Sequence, residues 1–265
     1  MKISTRLEEL KKKGEKALAV FATIGDPDMD TSFQVFSHLH DWGADILELG
    51  IPYSDPLMDG PTLQQSYRRS LNFGFALKDV PPFVERLRNT TDIAALIMTC
   101  YNPVYRYGVN RFFRDVSNAG IDSILLTDLP PEEWGESLEL ARSYGLGTVF
   151  LITPTTPVRR MEEIARLSIP FVYSVSRTGI TGARDELPPE LKSYMAFVKD
   201  VVSRPVLIGF GISTPEQAGV AGELADGIVV GSAAVSIIQR HLDSNDEIMR
   251  NLENFVGELK EALVP

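Results

Sequence analysis

The residues best suited to catalysis are two acids, Glu48 and Asp59, which lie eleven positions apart in the sequence. Glu48 stands near the end of an apolar run that predicts a buried strand, and Asp59 follows in a loop rich in proline, glycine and aspartate. Burying a charged carboxylate costs several kcal/mol unless it is paired or neutralised. Glu48 should therefore form an ion pair or exchange a proton. Two carboxyl groups that face one cavity and differ in pKa suit acid/base catalysis.

The elements that must position these acids follow from apolar runs that alternate with amphipathic stretches. Such alternation is typical of a parallel sheet covered by helices. Eight strands are predicted, at 18–23, 45–49, 94–99, 123–127, 148–152, 170–174, 206–209 and 227–230. Helical stretches include 31–42, 83–89, 109–119, 132–144, 158–167, 191–202 and 215–224. We predict a single (β/α)8 TIM barrel domain over residues 1–265, with a doubly wound open sheet as the alternative.

Two helices are expected outside the eight repeats. Residues 2–15 predict a charged helix before the first strand, which would cover the bottom of the barrel and is unlike a signal peptide. The acidic stretch 243–263 predicts a solvated final helix. The fold is thus expected to be a TIM barrel with an extra N-terminal helix.

Composition excludes several classes of function. The only cysteine is Cys100, so a disulfide framework is excluded and a reducing cytoplasm is expected. The formal net charge of −10 argues against nucleic-acid binding, and apolar runs are too short for a membrane helix of about 20 residues. An anionic substrate remains compatible with this charge, because backbone N–H groups can bind phosphate locally.

Glycine-bearing turns after the sixth, seventh and eighth predicted strands indicate a phosphate site. In a TIM barrel these turns open on the same face as Glu48, and the last two loops commonly bind phosphate. Ser232 also begins a predicted helix, whose N-terminus would attract an anion. The residues concerned are Gly182, Gly211, Gly231 and Ser232. The alternative is that the glycines only form tight turns and Ser232 only caps a helix.

The acid segment, Glu48-x-Gly-x-Pro-Tyr-Ser-Asp-Pro-x-x-Asp-Gly-Pro, resembles the signature of the tryptophan synthase alpha subunit family. Segments at 25–27, 102–103, 128–130, 153–156, 175–182, 209–212 and 230–232 extend the resemblance over roughly residues 18–238. The family cleaves indole-3-glycerol phosphate to indole and glyceraldehyde 3-phosphate by a retro-aldol reaction. The resemblance implies that Glu48 is the general acid/base and that Asp59 binds the indole N–H. Alone, Glu48 could instead be an ion-paired residue and Asp59 a turn residue.

The resemblance also implies the remaining contacts of the substrate. Thr181 and Gly182 would close over the substrate, with the Thr181 hydroxyl bonded to Asp59. The indole ring would be surrounded by Phe21, Ile152, Tyr173 and Phe210, which could equally be plain core residues. Two positions depart from the family pattern, since Cys100 replaces a usual tyrosine and Met58 a usual alanine. These changes bear on affinity and leave both acids intact.

Other aldolase mechanisms fit the sequence poorly. A Schiff-base enzyme needs a lysine at a strand end, whereas candidates such as Lys78 and Lys199 fall in helical stretches. A metal enzyme needs clustered ligands, whereas His38 and His40 diverge on a helix and His241 is remote. We therefore expect neither a metal nor a cofactor on this chain.

The resemblance further implies a partner, the pyridoxal-phosphate beta subunit, in an alpha2-beta2 assembly through which indole passes by a tunnel. In the family the rim that meets this partner corresponds to Pro52, Asp55, Pro56, Asn102 and residues 128–131. A stand-alone lyase that releases indole would keep the same acids and remains an alternative. A non-catalytic subunit that only activates its partner is disfavoured because both acids are retained.

Overall fold

In a computed structural model of the chain, the described residues are 2–175, 189–209 and 211–264. They form one parallel sheet with strand order β5-β4-β3-β2-β1-β9-β8-β7-β6. The strands are β1 (Ala17–Thr23), β2 (Ile46–Gly50), β3 (Ala94–Thr99), β4 (Ser123–Leu126), β5 (Gly147–Thr148), β6 (Phe150–Ile152), β7 (Val172–Val175), β8 (Val206–Gly209) and β9 (Gly227–Val230). Seven of the nine, all except β5 and β6, are buried along their whole length, as is typical of a parallel sheet covered by helices.

The two ends of this strand order meet in the chain, because only Val149 separates β5 from β6. The Val149 N–H donates to the Ile124 carbonyl at 3.0 Å, and the Ile169 N–H donates to the Thr148 carbonyl at 2.8 Å. Hydrogen bonding therefore continues through the interruption on both sides. The sheet forms a nearly closed barrel, in which β5 and β6 together are the predicted fifth strand. The predicted (β/α)8 barrel is confirmed, and the open sheet is not observed.

Helices surround the barrel and join successive strands. They are α1 (Ile3–Lys13), α2 (Met29–His38), α3 (Pro61–Asn72), α4 (Val80–Arg88), α5 (Tyr101–Tyr107), α6 (Val109–Ala119), α7 (Glu136–Ser143), α8 (Val158–Leu167), α9 (Leu191–Val201), α10 (Pro215–Leu224), α11 (Ser232–Arg240) and α12 (Asn245–Glu261). Their ends follow local chemistry: the Asp28 side chain accepts from two N–H groups of α2, and Gly14 ends α1 in the left-handed conformation.

Two helices near the acid loop were not among those predicted from the sequence. α3 begins at Pro61, directly after the loop, and α5 begins at Tyr101, directly after β3. Proline is favoured at a helix start because its missing N–H needs no partner there. Tyr101 is therefore the first residue of a helix, and Cys100 is the residue that precedes it.

The extra helices at the two ends of the chain contribute to the bottom and the outer layer of the barrel. α1 inserts Ile3, Leu7 and Leu10 into the inner core, and Arg6 forms a 2.6 Å ion pair with Asp45 at the start of β2. The expected cap is thus confirmed. α12 is only partly solvated, contrary to expectation, because it buries Ile248, Leu252, Val256 and Leu259 against the other helices. Its apolar spacing of three to four residues explains this packing.

Within the described ranges, every helix is too short or too polar to cross a membrane.

Candidate active site

A cavity of about 640 Å³ opens at the carboxyl ends of the barrel strands. Seven of the residues predicted for the site line it: Phe21, Glu48, Asp59, Tyr173, Gly211, Gly231 and Ser232. Thr181, Gly182 and Phe210 lie outside the described residues. The topology therefore brings together residues from both halves of the chain, as the carboxyl ends of the strands of a barrel must.

Glu48 projects into this cavity from β2, between Phe21 of β1 and Leu96 of β3. Glu48 is only 1 % exposed, and its Oε1 atom has no hydrogen-bond partner among the described residues. No lysine, arginine or histidine side chain that the structure describes forms an ion pair with it. Burial, and next the charge of Asp59, raise the pKa of Glu48 to about 8. The carboxyl group is therefore available to exchange a proton near neutral pH.

Asp59 enters the cavity from the loop that precedes α3. Its backbone is fixed at both ends, since its N–H donates to the Pro56 carbonyl at 3.1 Å and its carbonyl accepts from Gln64 Nε2 at 2.8 Å. Burial raises the pKa of Asp59 to about 6; the Tyr67 hydroxyl opposes this rise, and the charge of Asp128 adds to it. Asp59 thus loses its proton at a lower pH than Glu48.

Aromatic rings form two walls of the cavity. Phe21 and Tyr173 are both buried and belong to the inner core. Glycine is required opposite each ring, because a Cβ on Gly50 would overlap the Phe21 ring and a Cβ on Gly209 would overlap the Tyr173 ring. The rings therefore lie flat across neighbouring strands and leave the centre of the cavity open.

Ile152, which was also predicted as a ring contact, is not among the described residues that line this cavity. Ile152 packs in the outer core between strands and helices, whereas its neighbour Leu151 lines the cavity. Successive strand residues point to opposite faces of a sheet. The apolar run is continuous, so its sequence carries no signal for which residue faces inward.

The loops that follow β8 and β9 contribute Gly211, Gly231 and Ser232 to the lining of the cavity. Gly211 has a positive φ of 87°, a conformation that glycine adopts without strain. Ser232 is the first residue of α11, so the N-terminus of this helix faces the cavity. The first N–H groups of a helix have no partners within it and carry partial positive charge. This end can accept an anionic group.

Comparison with known proteins identifies the family. A sequence model described as "Tryptophan synthase alpha chain" matches residues 7–264. The chain belongs to the tryptophan synthase alpha chain family. The tryptophan synthase alpha chain of Caldanaerobacter subterraneus subsp. tengcongensis is 44 % identical over 262 residues, covering 99 % of each chain, and that of Citrifermentans bemidjiense is 43 % identical, covering 99 % of this chain and 98 % of the relative.

Solved structures agree with this assignment. The tryptophan synthase alpha subunit of Legionella pneumophila superposes with a TM-score of 0.92 at 33 % identity, over 98 % of this chain and 97 % of that one. A chain of Mycobacterium tuberculosis tryptophan synthase gives 0.88 at 32 % identity, over 100 % and 99 %. The predicted family, and its enzyme class of lyase in tryptophan biosynthesis, are confirmed at this level.

In this tryptophan synthase alpha chain family member, polar groups whose place sequence reasoning missed lie in the cavity lining or are buried in the residues around it. Asp128, which follows β4, lines the cavity and accepts from the Tyr101 N–H at 2.7 Å. Tyr67 was missed because α3 was not predicted, and a tyrosine in a polar segment gives no sign of burial. Cys100 Sγ lies 3.7 Å from Thr127 Oγ1, and burial raises the pKa of this thiol to about 12. Cys100 is therefore a neutral polar group at neutral pH.

Proposed function

We propose that this chain cleaves indole-3-glycerol phosphate to indole and glyceraldehyde 3-phosphate in the cytoplasm, as a single domain that uses Glu48 and Asp59. The observation that carries this proposal is the burial of two interacting carboxyl groups in one cavity that is also lined by a helix N-terminus. The raised pKa of Glu48 and the lower pKa of Asp59 give the two acids different protonation states between about pH 6 and 8. Retro-aldol cleavage of an indole needs this combination.

Glu48 supplies and then recovers one proton. In its neutral form it protonates C3 of the indole ring, which converts the ring to an indolenine that can accept electrons. The resulting carboxylate removes the proton from the hydroxyl on the adjacent side-chain carbon. The bond between that carbon and C3 then breaks, its electrons return to the ring, and an aldehyde and indole are formed. The carboxyl group ends in its starting state, as acid/base catalysis requires.

Asp59 stabilises the charged ring. In its ionised form, its carboxylate accepts a hydrogen bond from the indole N–H, where positive charge develops when C3 is protonated. A fixed carboxylate in a cavity screened from water stabilises such charge more strongly than bulk water does. Because the pKa of Asp59 is about 6, this form dominates at neutral pH.

The rest of the cavity holds the substrate by its two ends. Phe21, Tyr173 and Leu151 contact the indole ring, with Leu151 in the position first predicted for Ile152. Gly211, Gly231 and Ser232 bind the phosphate at the N-terminus of α11. Phe210, Thr181 and Gly182 keep their predicted roles as ring, closure and phosphate contacts. Holding both ends fixes C3 relative to Glu48.

Release of indole from indole-3-glycerol phosphate tests the proposal. Glu48→Gln and Asp59→Asn should each lower kcat at least about 100-fold, while the circular dichroism spectrum is unchanged. Glu85→Gln, an exposed acid on α4, is the matched control and should retain wild-type kcat. The wild-type rate should rise through about pH 6, as Asp59 ionises, and fall above about pH 8, as Glu48 loses its proton. Normal turnover in either acid variant would contradict the mechanism.

We further propose that the rim of this cavity binds a pyridoxal-phosphate beta subunit in an alpha2-beta2 assembly. Two large apolar side chains of the acid loop, Leu57 and Met58, are 78 % and 51 % exposed. The same rim is joined to the start of α5 by a hydrogen bond from Asn102 Nδ2 to the Tyr53 hydroxyl at 2.5 Å. Exposed apolar side chains at the mouth of a cavity favour a protein partner, and indole leaving this mouth would enter that partner directly.

A further inference from the structure

The cavity at the carboxyl ends of the strands extends through the barrel wall between β4 and β6. Successive strand residues point to opposite faces of a sheet. Leu125 and Leu126 are successive residues of β4 and both line the cavity, although Leu125 belongs to the inner core and Leu126 to the outer core. On β6, Leu151 lines the cavity from the inner side and Phe150 from the outer side. The cavity therefore occupies space on both faces of the sheet.

The wall is open here because the two strands are not paired. β4 pairs with β5 through Ser123 and Ile124, and β6 pairs with β7. The Val149 N–H donates to the Ile124 carbonyl, and beyond this bond, toward the carboxyl ends, the described backbone has no ladder between β4 and β6. The slot between these strands is therefore bounded by side chains rather than by backbone hydrogen bonds.

The part of the cavity on the outer side of this slot, here called the side lobe, has an apolar interior. Leu126 and Phe150 line it from the sheet, and Ile164 lines it from α8. All three side chains are buried. A cavity with such a lining stays dry and binds apolar groups. The side lobe therefore favours an apolar part of a ligand over water.

The polar side chains near α8 are paired with other groups of the protein. Arg160 Nη2 donates to Glu132 Oε2 at 2.9 Å, which joins α8 to the turn Pro131–Glu133 after β4. Thr156 Oγ1 accepts from the Thr153 N–H at 2.9 Å. Because these groups already have partners, the apolar interior determines which group of a ligand fits the side lobe.

The strand order places the slot across the barrel from the residues proposed to bind phosphate. With β5 and β6 counted as one strand, β9 is separated from β4 by β1, β2 and β3 on one side and by three strands on the other. Gly231 and Ser232 follow β9 directly. A substrate with its phosphate there and its C3 at Glu48 extends its indole ring toward β4. The ring carbons C5 and C6, which are farthest from the pyrrole half, then point to the slot.

We propose that the side lobe receives substituents carried on C5 or C6 of the indole ring, and that Phe150 and Ile164 determine their allowed size. The chain therefore cleaves indole-3-glycerol phosphates substituted at this edge as well as the parent compound. One methylene group in an apolar pocket changes discrimination by about 10- to 200-fold. The inference rests on the proposed function, because Glu48 and the phosphate residues define the orientation of the ring.

Bromine-substituted substrates test this inference in the wild-type chain, since a bromine atom is similar in size to a methyl group. For the 5-bromo or the 6-bromo derivative, kcat/KM for release of the bromoindole should stay within about fivefold of the parent value. The 7-bromo derivative carries its bromine beside the N–H, where it faces Asp59, and should lose at least about tenfold. Equal values for the three derivatives, whether high or low, would overturn the inference.

Substitutions of Ile164 change the size of the side lobe in both directions. Ile164→Phe fills it and should lower kcat/KM for the better bromo derivative, relative to the parent substrate, at least about tenfold. Ile164→Ala enlarges it and should raise this ratio. Met161→Ala is the matched control and should leave the ratio unchanged, because Met161 is buried on the same helix and is not among the described residues that line the cavity. Both substrates are compared on one variant, so partial unfolding leaves the ratio unaffected.

Failure of this inference differs from failure of the proposed function. If the wild type releases no indole from the parent substrate, the proposed function is overturned, and the inference with it. If indole is released and the ratio in the Ile164 variants equals that in Met161→Ala, the inference about the side lobe alone is overturned. Should Ile164→Phe fail to fold, the ratio in Ile164→Ala decides.

Discussion

At the scale of single residues, the site buries a carboxylic acid, Glu48, at a position where a neutral side chain would favour folding. Glu48 is 1 % exposed, and burial is the main cause that raises its pKa to about 8. A glutamine of the same shape would avoid burying a charge. The same burial makes the carboxyl group a proton donor at neutral pH, because the neutral form is favoured. Stability and chemistry therefore make opposite demands on this one position.

The pH dependence of stability measures this conflict. The pKa of Glu48 is about 8 in the folded chain and 4.5 for an ordinary glutamate, so its contribution is fully favourable below about pH 4.5 and is lost as pH rises through about 8. Glu48→Gln should therefore match the wild type near about pH 4 and be more stable near about pH 9, by at least about 1 kcal/mol in the free energy of unfolding. Urea denaturation at both pH values checks this. The same difference at both values would contradict a raised pKa.

At the scale of elements, α3 connects the chemistry to the framework. It begins two residues after Asp59, carries Tyr67 on its buried face, and binds the end of β1 through Asp26. Asp26 is fully buried and is paired with Arg69, which is only partly exposed. A buried ion pair stabilises little relative to apolar residues, but removal of one partner leaves an uncompensated charge. Substitution of Arg69 should therefore lower the free energy of unfolding, whereas substitution of its exposed neighbour Arg68 should change it little.

The adjacent arginines of α3 allow a matched test. Arg69→Met should lower the free energy of unfolding by about 3 kcal/mol or more, because Asp26 loses both hydrogen bonds from the guanidinium group. Arg68→Met, one residue earlier and exposed, should change it by less than about 0.5 kcal/mol. Chemical denaturation gives both values. We also expect Arg69→Met to lower the rate of indole release, since α3 begins directly after the loop that carries Asp59. Equal effects of the two substitutions would show that the pair with Asp26 is unimportant.

At the scale of the whole molecule, the two ends of the barrel have different tasks. The bottom is covered by α1, with Arg6 and Lys260 paired to Asp45, and this arrangement stabilises the fold. The top contains the cavity and the exposed apolar side chains of the acid loop. Separation of this kind allows loops to differ without disturbing the core. It also leaves the acid loop free to meet a partner.

Substitution on this loop tests the proposed partner surface. Leu57→Asp should weaken binding of a beta subunit, and the stimulation of indole release by that subunit, at least about tenfold, since a charge replaces an exposed apolar contact. The rate without the partner should change little. Phe73→Asp is the matched control: Phe73 is 72 % exposed and follows the far end of α3, about 18 Å from its start. Titration of the beta subunit checks both variants, and equal losses would exclude the acid loop as the specific contact.

From the sequence alone, the succession of strands and helices and the segment that carries both acids could be predicted, and a barrel was favoured over an open sheet. Apolar runs and glycine-bearing turns are local signals, because a strand or a tight turn depends on neighbouring residues. Only the packed structure shows that Leu151 lines the cavity while Ile152 packs in the outer core, and that Tyr67 is buried on α3. Packing also raises the pKa of Glu48. Side-chain direction in an apolar run and the pKa of a buried acid depend on what surrounds them in space, and that surrounding forms only when distant segments pack.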